Sequence, residues 1–184
     1  DDGYLQDIRL LCMNLGLHIC YIGVSNDFMK PGTEGEEQVQ LVKDWIDIAD
    51  RMGVQMVRVF GGVIPDGETY ESMYPRLLAN TREVVDYGRS IGVICGLHNH
   101  NHRAGPATGE QVLRLLDDVN DRYFTHILDT GQYVGSPGAS GARGQEDPSL
   151  DFYSSIAETA PLAVGNSSRR SERSANPRQR IHED

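Results

Sequence analysis

Four times along this chain a helix-length amphipathic segment alternates with a short run of apolar residues, and that alternation limits the architecture more than any other feature. Residues 4–15, 36–52, 74–91 and 110–119 repeat apolar side chains three and four apart, the period of a helix with one face on a core. Leu5, Ile8, Leu11 and Leu15 form the first stripe, and Val39, Val42, Trp45 or Ile46, and Ala49 the second. Gly16, Gly53 and Gly92 follow three of the segments, where a helix is expected to stop. Pro75 is expected in the first turn of its helix, where a missing N–H costs little. Thr108 reads as an N-cap, with Gln111 placed to complete a capping box.

The intervening runs, residues 17–24, 54–60, 93–97 and 123–128, are predicted strands, and a short helix is expected over 151–159. The runs are continuous rather than alternating, as in strands covered on both faces. They begin roughly 30 to 40 residues apart, the length of one βα unit. Right-handed crossovers then lay the strands side by side in chain order. A parallel α/β sheet follows, although periodicity does not choose between a barrel and an open doubly wound sheet.

In such folds ligands bind at the carboxyl ends of the strands. Here those ends carry Ser25-Asn26-Asp27, Gly61-Gly62, His98-Asn99-His100-Asn101-His102 and Asp129-Thr130-Gly131-Gln132. In an extended segment alternate residues point the same way, so His98, His100 and His102 are expected on one side and the asparagines on the other. Neutral imidazoles beside a carboxylate make good ligands for a divalent transition metal, and Asp129 supplies the carboxylate one strand along. The polar-loop alternative is preferred for His102. His18 and His126 lie inside apolar runs and are expected to be hydrogen-bonded core histidines. Arg58 is expected to form an ion pair inside the sheet, Glu68 and Glu71 to lie in a loop, and Gly61-Gly62 to make a tight turn. The sequence holds no P-loop, GxGxxG, GxSxG or HExxH motif.

Composition narrows the partners. The formal net charge is −10, which opposes nucleic acid and an anionic membrane surface alike. No apolar run approaches the ~20 residues of a membrane span, and Asp1-Asp2-Gly3 does not read as a secretory leader. Three cysteines in apolar runs, Cys12, Cys20 and Cys95, read as buried free thiols in a reducing, cytoplasmic setting. Residues 131–148, rich in Gly, Ser and Pro, are expected to form a long mobile loop. From residue 165 the composition shifts to five arginines with one large aliphatic residue, Ile181, so a disordered tail is expected over 165–184 after a domain over 1–164.

The segments VKDWIDIADRMGVQMVRVFGG, NTREVVDYGRSIGVICGLHNHNH, TGEQVLRLLDDV and HILDTGQY resemble the xylose isomerase-like TIM barrels, which include sugar phosphate isomerases and epimerases. The resemblance implies an incomplete parallel (β/α) barrel, the third to sixth of the family's eight βα units. It implies a divalent metal (Mn, Mg, Co or Zn) at the barrel mouth, with Asp129 matching the aspartate ligand that ends the sixth strand. His98 stands where the family has a glutamate ligand in an ENH-like motif, and Asn99 and His100 match the remaining letters, as substrate-binding residues. Residues 160–164 look like the approach to the seventh strand, where the family supplies a further histidine ligand, and His182 is not assigned that part.

Two functions follow from the resemblance. One is metal-assisted proton transfer on a sugar or sugar phosphate; the other is a truncated, catalytically inactive relative that keeps only the partial barrel. A nucleic-acid hydrolase is disfavoured by the acidic charge. The uncovered edges of a partial barrel are expected to promote self-association.

Overall fold

The computed structural model describes residues 1–101, 103–136 and 149–164. Its helices are α1 (Asp2–Leu15), α2 (Gly32–Met52), α3 (Tyr70–Ile91), α4 (Gly109–Val119) and α5 (Phe152–Thr159). The strands are β1 (Ile22–Gly23), β2 (Met56–Phe60), β3 (Gly62–Val63), β4 (Ile94–His98), β5 (Ala104–Gly105) and β6 (Phe124–Ile127). β1, β2, β4 and β6 form one parallel sheet in that order, with Phe60 opposite His98 and His98 opposite Ile127. After α5 a turn of 3-10 helix leads to Ala163, which makes a parallel bridge to His126; the Val164 N–H donates to the His126 carbonyl at 2.9 Å. The expected approach of another strand is therefore present.

Side chains alternate across the strands and sort into two faces. Val57, Val59, Cys95, Leu97, Phe124 and His126 are fully buried beneath the helices. The other face carries Arg58, Phe60, His98 and Ile127, each half-buried. α2 packs on β2 and α3, α3 on β4 and α4, and α4 on β6 and α5, so these helices form one layer on one side of the sheet. That single winding is the wall of a (β/α) barrel, and it decides the choice that periodicity left open.

Several local expectations change. Only two residues of 17–24 pair in the sheet; Leu17 is 61% exposed and His18 is also exposed, so His18 is not a core histidine. β1 joins only β2, and its residues before Ile22 have no strand to pair with among the described residues. Cys95 alone of the three thiols is buried; Cys12 is half-buried and Cys20 exposed. α3 starts at Tyr70, not residue 74, because Thr69 and Ser72 cap it reciprocally through side chain and backbone, which places Pro75 beyond the first turn. At α4 the Thr108 hydroxyl accepts from the Gln111 N–H as expected, but the Gln111 side chain takes the N–H of Ala107 rather than that of the cap. The two-residue ribbon of β3 and β5 was not anticipated.

Residues 131–136, the start of the expected mobile loop, are tied down. Tyr133 and Ser136 are fully buried, and the Val134 N–H donates to the Ala107 carbonyl. The rest of that loop, His102 and the expected tail over 165–184 with His182 lie outside the described residues.

Candidate functional site

The carboxyl rim of the sheet gathers the polar residues that sequence singled out. β4 and β6 run parallel and adjacent, so the ends of both reach the same rim. There His98 Nε2 lies 3.3 Å from Asp129 Oδ2. Asn99, with no exposed surface, fixes this arrangement: its Nδ2 donates to the Asp129 carbonyl and its Oδ1 accepts the Asp129 N–H, each at 2.9 Å. The Asp129 carboxylate also accepts the Gly131 N–H, which sets its rotamer.

One strand pair away the same device recurs. Asn26, after β1, donates to the Phe60 carbonyl at 2.8 Å and accepts the Phe60 N–H at 2.9 Å. Phe60 is thereby fixed at the end of β2, and its ring meets both imidazoles edge-on, His98 at 5.1 Å and His100 at 5.3 Å between centroids. His98 and His100 thus share one side, their rings 6.3 Å apart. A cavity of about 180 Å³ opens beside them, lined by Ser25, Asn26, Phe60, Gly61, Gly62 and His100. Gly61 is required at its floor, since a Cβ there would collide with the Gly105 carbonyl of β5. Larger hollows, of about 280 and 210 Å³, open beside Asp121 and Arg122 and beside Cys12 and Val54, toward the amino ends of the strands, where parallel α/β folds do not place their ligands.

Burial and the nearby Arg58 guanidinium push the His98 pKa down, and Asp129 opposes them in part. His98 therefore stays neutral near pH 7, with a ring lone pair available. Its Nδ1 is buried with no hydrogen-bond partner among the described residues, as are Asn101 Oδ1 and Gln132 Oε1 from the two segments that follow β4 and β6. Unmatched buried polar atoms at a strand-end rim suit a site that receives a ligand.

The His98–Asp129 pair also fits a cation. Two neighbouring ligands on one ion, each with a bond of about 2.1 Å, stand roughly 3.0–3.4 Å apart, and the observed 3.3 Å falls in that range. Among the described residues no group of three or more His, Cys, Asp or Glu side chains converges.

Of the other residues considered, Glu71 lies on α3 and pairs with Arg114, and Glu68 accepts from the Ser72 hydroxyl; neither is in the rim group. His126 is a buried core histidine, as expected. Arg58 has no carboxylate partner among the described residues, against the expected ion pair. Phe60 escaped sequence reasoning, because an aromatic ending a strand carries no signal by itself; Asn26 stood visibly at a strand end, but its hydrogen bonds to Phe60 did not.

Fold and rim together define the wall of an α/β barrel whose polar residues gather at the carboxyl ends of the strands. Residues 1–161 match the xylose isomerase-like TIM barrel model, and the chain belongs to that family. No curated protein matches the sequence. Among solved structures the chain is similar to a xylose isomerase domain protein from Planctomyces limnophilus, with 13% identity over 89% of this chain and 58% of that one and a TM-score of 0.68. It is similar to D-psicose 3-epimerase with D-tagatose from Clostridium cellulolyticum H10, at 14% identity, 89% and 56% coverage and a TM-score of 0.67. A xylose isomerase-like TIM barrel protein from Mycobacterium smegmatis in complex with magnesium aligns at 18% identity, 89% and 55% coverage and a TM-score of 0.64. The chain therefore spans less than three fifths of the length of these relatives.

Proposed function

We propose that this chain forms the metal-binding side of a sugar isomerase or epimerase site, acting on a sugar or sugar phosphate. The observation that carries the reading is the His98–Asp129 pair, held at 3.3 Å on adjacent parallel strands at the carboxyl rim. His98 and Asp129 would hold a divalent cation (Mn, Mg, Co or Zn), and the magnesium complex of one structural relative supports that choice of partner. When bound, such an ion polarises carbonyl and hydroxyl oxygens on the substrate and makes the neighbouring C–H more acidic.

The chain's own residues do the rest by placement. Asn99 clamps the Asp129 backbone, so we assign it to positioning the ligand carboxylate. Phe60 holds the His98 and His100 rings at fixed angles. His100 also lines the cavity, where its imidazole can hydrogen-bond a substrate hydroxyl. A sugar is supported as substrate by the epimerases among the structural relatives. The free thiols, one of them exposed, support a cytoplasmic setting.

A second reading is a catalytically inactive relative, and the two-donor set favours it. Titration calorimetry with Mn²⁺ and Zn²⁺ at neutral pH decides. Binding that weakens at least about tenfold in His98→Ala and in Asp129→Asn supports the metal site. No binding by the wild-type chain, or equal binding by the variants, refutes it.

A further inference from the structure

The inner face of the sheet holds one fixed cation among its strand residues, Arg58, and the rim chemistry gives it no task. Its guanidinium is half-buried, and no carboxylate among the described residues pairs with it. It is not loose. Its guanidinium carbon lies 4.2 Å from the centroid of the Phe60 ring. Its other side lies on β1 at Gly23, where a Cβ would stand 2.8 Å from its terminal nitrogen. Burial pushes the Arg58 pKa down, but from so high a value that the group remains cationic at any physiological pH.

A buried or half-buried charge costs free energy unless something compensates it. Cation–π contact with Phe60 offsets part of that cost and leaves the five N–H donors without a carboxylate. The ring that holds Arg58 also touches His98 and His100, so cation and metal-binding pair are parts of one surface. Across that surface the order is Gly23, Arg58, Phe60, His98 and Asp129. β1 and β4 stand two strand spacings apart, roughly 10 Å. A five- or six-carbon chain with a terminal anionic group can bridge that span.

We propose that Arg58 is a specificity residue that receives an oxyanion, so the substrate is an acidic sugar carrying a carboxylate or a phosphoryl group at the end remote from His98 and Asp129. This rests on the reading of the His98–Asp129 rim as the reacting end. The planar guanidinium fork suits either anion, because each can accept two parallel N–H bonds.

The test uses three ligands on one carbon skeleton: D-sorbitol, D-gluconate and D-sorbitol 6-phosphate. Each is titrated calorimetrically into the full chain with and without Mn²⁺. At least one acid is expected to bind about tenfold or more tightly than D-sorbitol. Which acid binds better distinguishes a carboxylate from a phosphoryl group. Arg58→Gln is expected to abolish the preference and leave D-sorbitol binding in place, while Arg58→Lys keeps part of it; urea midpoints confirm that both variants fold. Equal binding of all three ligands by the wild type, or a preference that survives Arg58→Gln, overturns the proposal. Mn²⁺ binding without a preference for acids defeats Arg58 and leaves the metal reading standing. An Arg58-dependent preference without Mn²⁺ binding does the reverse.

Discussion

His126 sits inside β6 with no exposed surface, and its hydrogen bonds define its proton. The Leu97 carbonyl, 3.0 Å from Nδ1, can only accept, so Nδ1 carries the hydrogen and Nε2 faces the Tyr133 hydroxyl at 3.2 Å. That hydroxyl lies 2.7 Å from Thr159 Oγ1, which ties β6 to α5. Burial, with a smaller contribution from His98, lowers the His126 pKa to about 4, although the Leu97 bond works the other way. In the unfolded chain the ring titrates near 6.5. Above that pH it is neutral in both states and adds no pH dependence. As pH falls below it, the unfolded chain takes up a proton that the folded chain refuses, so stability drops until the folded value is reached. Between pH 7 and pH 5 the expected loss is about 2 kcal/mol. Urea unfolding at the two pH values checks it: His126→Gln should flatten the slope. An equal slope in wild type and His126→Gln would remove His126 as its source.

At the scale of elements, the strength of each local signal decides how well the sequence could be read. α2 and α4 came out of the periodicity because Val39, Val42, Ile46 and Ala49, and then Val112 and Leu115, are the residues that reach the core. Three of the four strands were legible for the same reason. The run over residues 17–24 was misjudged because apolar character does not reveal whether a neighbour exists to cover it. β3 and β5 are two residues each, below any period. At the rim, parallel order was enough to bring the ends of β4 and β6 together, but not to say which imidazole meets Asp129; it is His98 that lies against the carboxylate. The start of α3 was lost because its capping box uses Ser72 in place of an acidic or amide residue. The Ser72 N–H donates to the Thr69 hydroxyl at 3.1 Å and the Thr69 N–H to the Ser72 hydroxyl at 3.0 Å. Thr69→Ala is therefore expected to cost about 1 kcal/mol in urea unfolding, and Thr69→Ser nearly nothing. Equal losses in both variants would point to the methyl group rather than to the cap.

For the whole molecule, the unequal covering of the sheet has a consequence for assembly. α2, α3 and α4 bury one face, whereas α1 contributes no buried residue and meets α2 through polar contacts such as Arg51 with Asp2. Tyr4, Leu11, Met13 and Leu15 on α1 and Leu17 in the segment before β1 are each more than half exposed, and β1 pairs with one strand only among the described residues. An apolar patch and a free strand edge each favour association. The net charge of −10 opposes it, over a range that salt shortens to about 8 Å at physiological ionic strength. The two effects separate experimentally. Sedimentation velocity on the chain is expected to show self-association that strengthens as salt is raised, because screening removes the repulsion and leaves the apolar contact. Leu11→Glu combined with Leu15→Glu should shift the population toward monomer at every salt concentration. A wild-type chain that remains monomeric in high salt would mean that α1 and β1 do not act as an adhesive edge, and association that weakens with salt would assign it to charge pairs rather than to this patch.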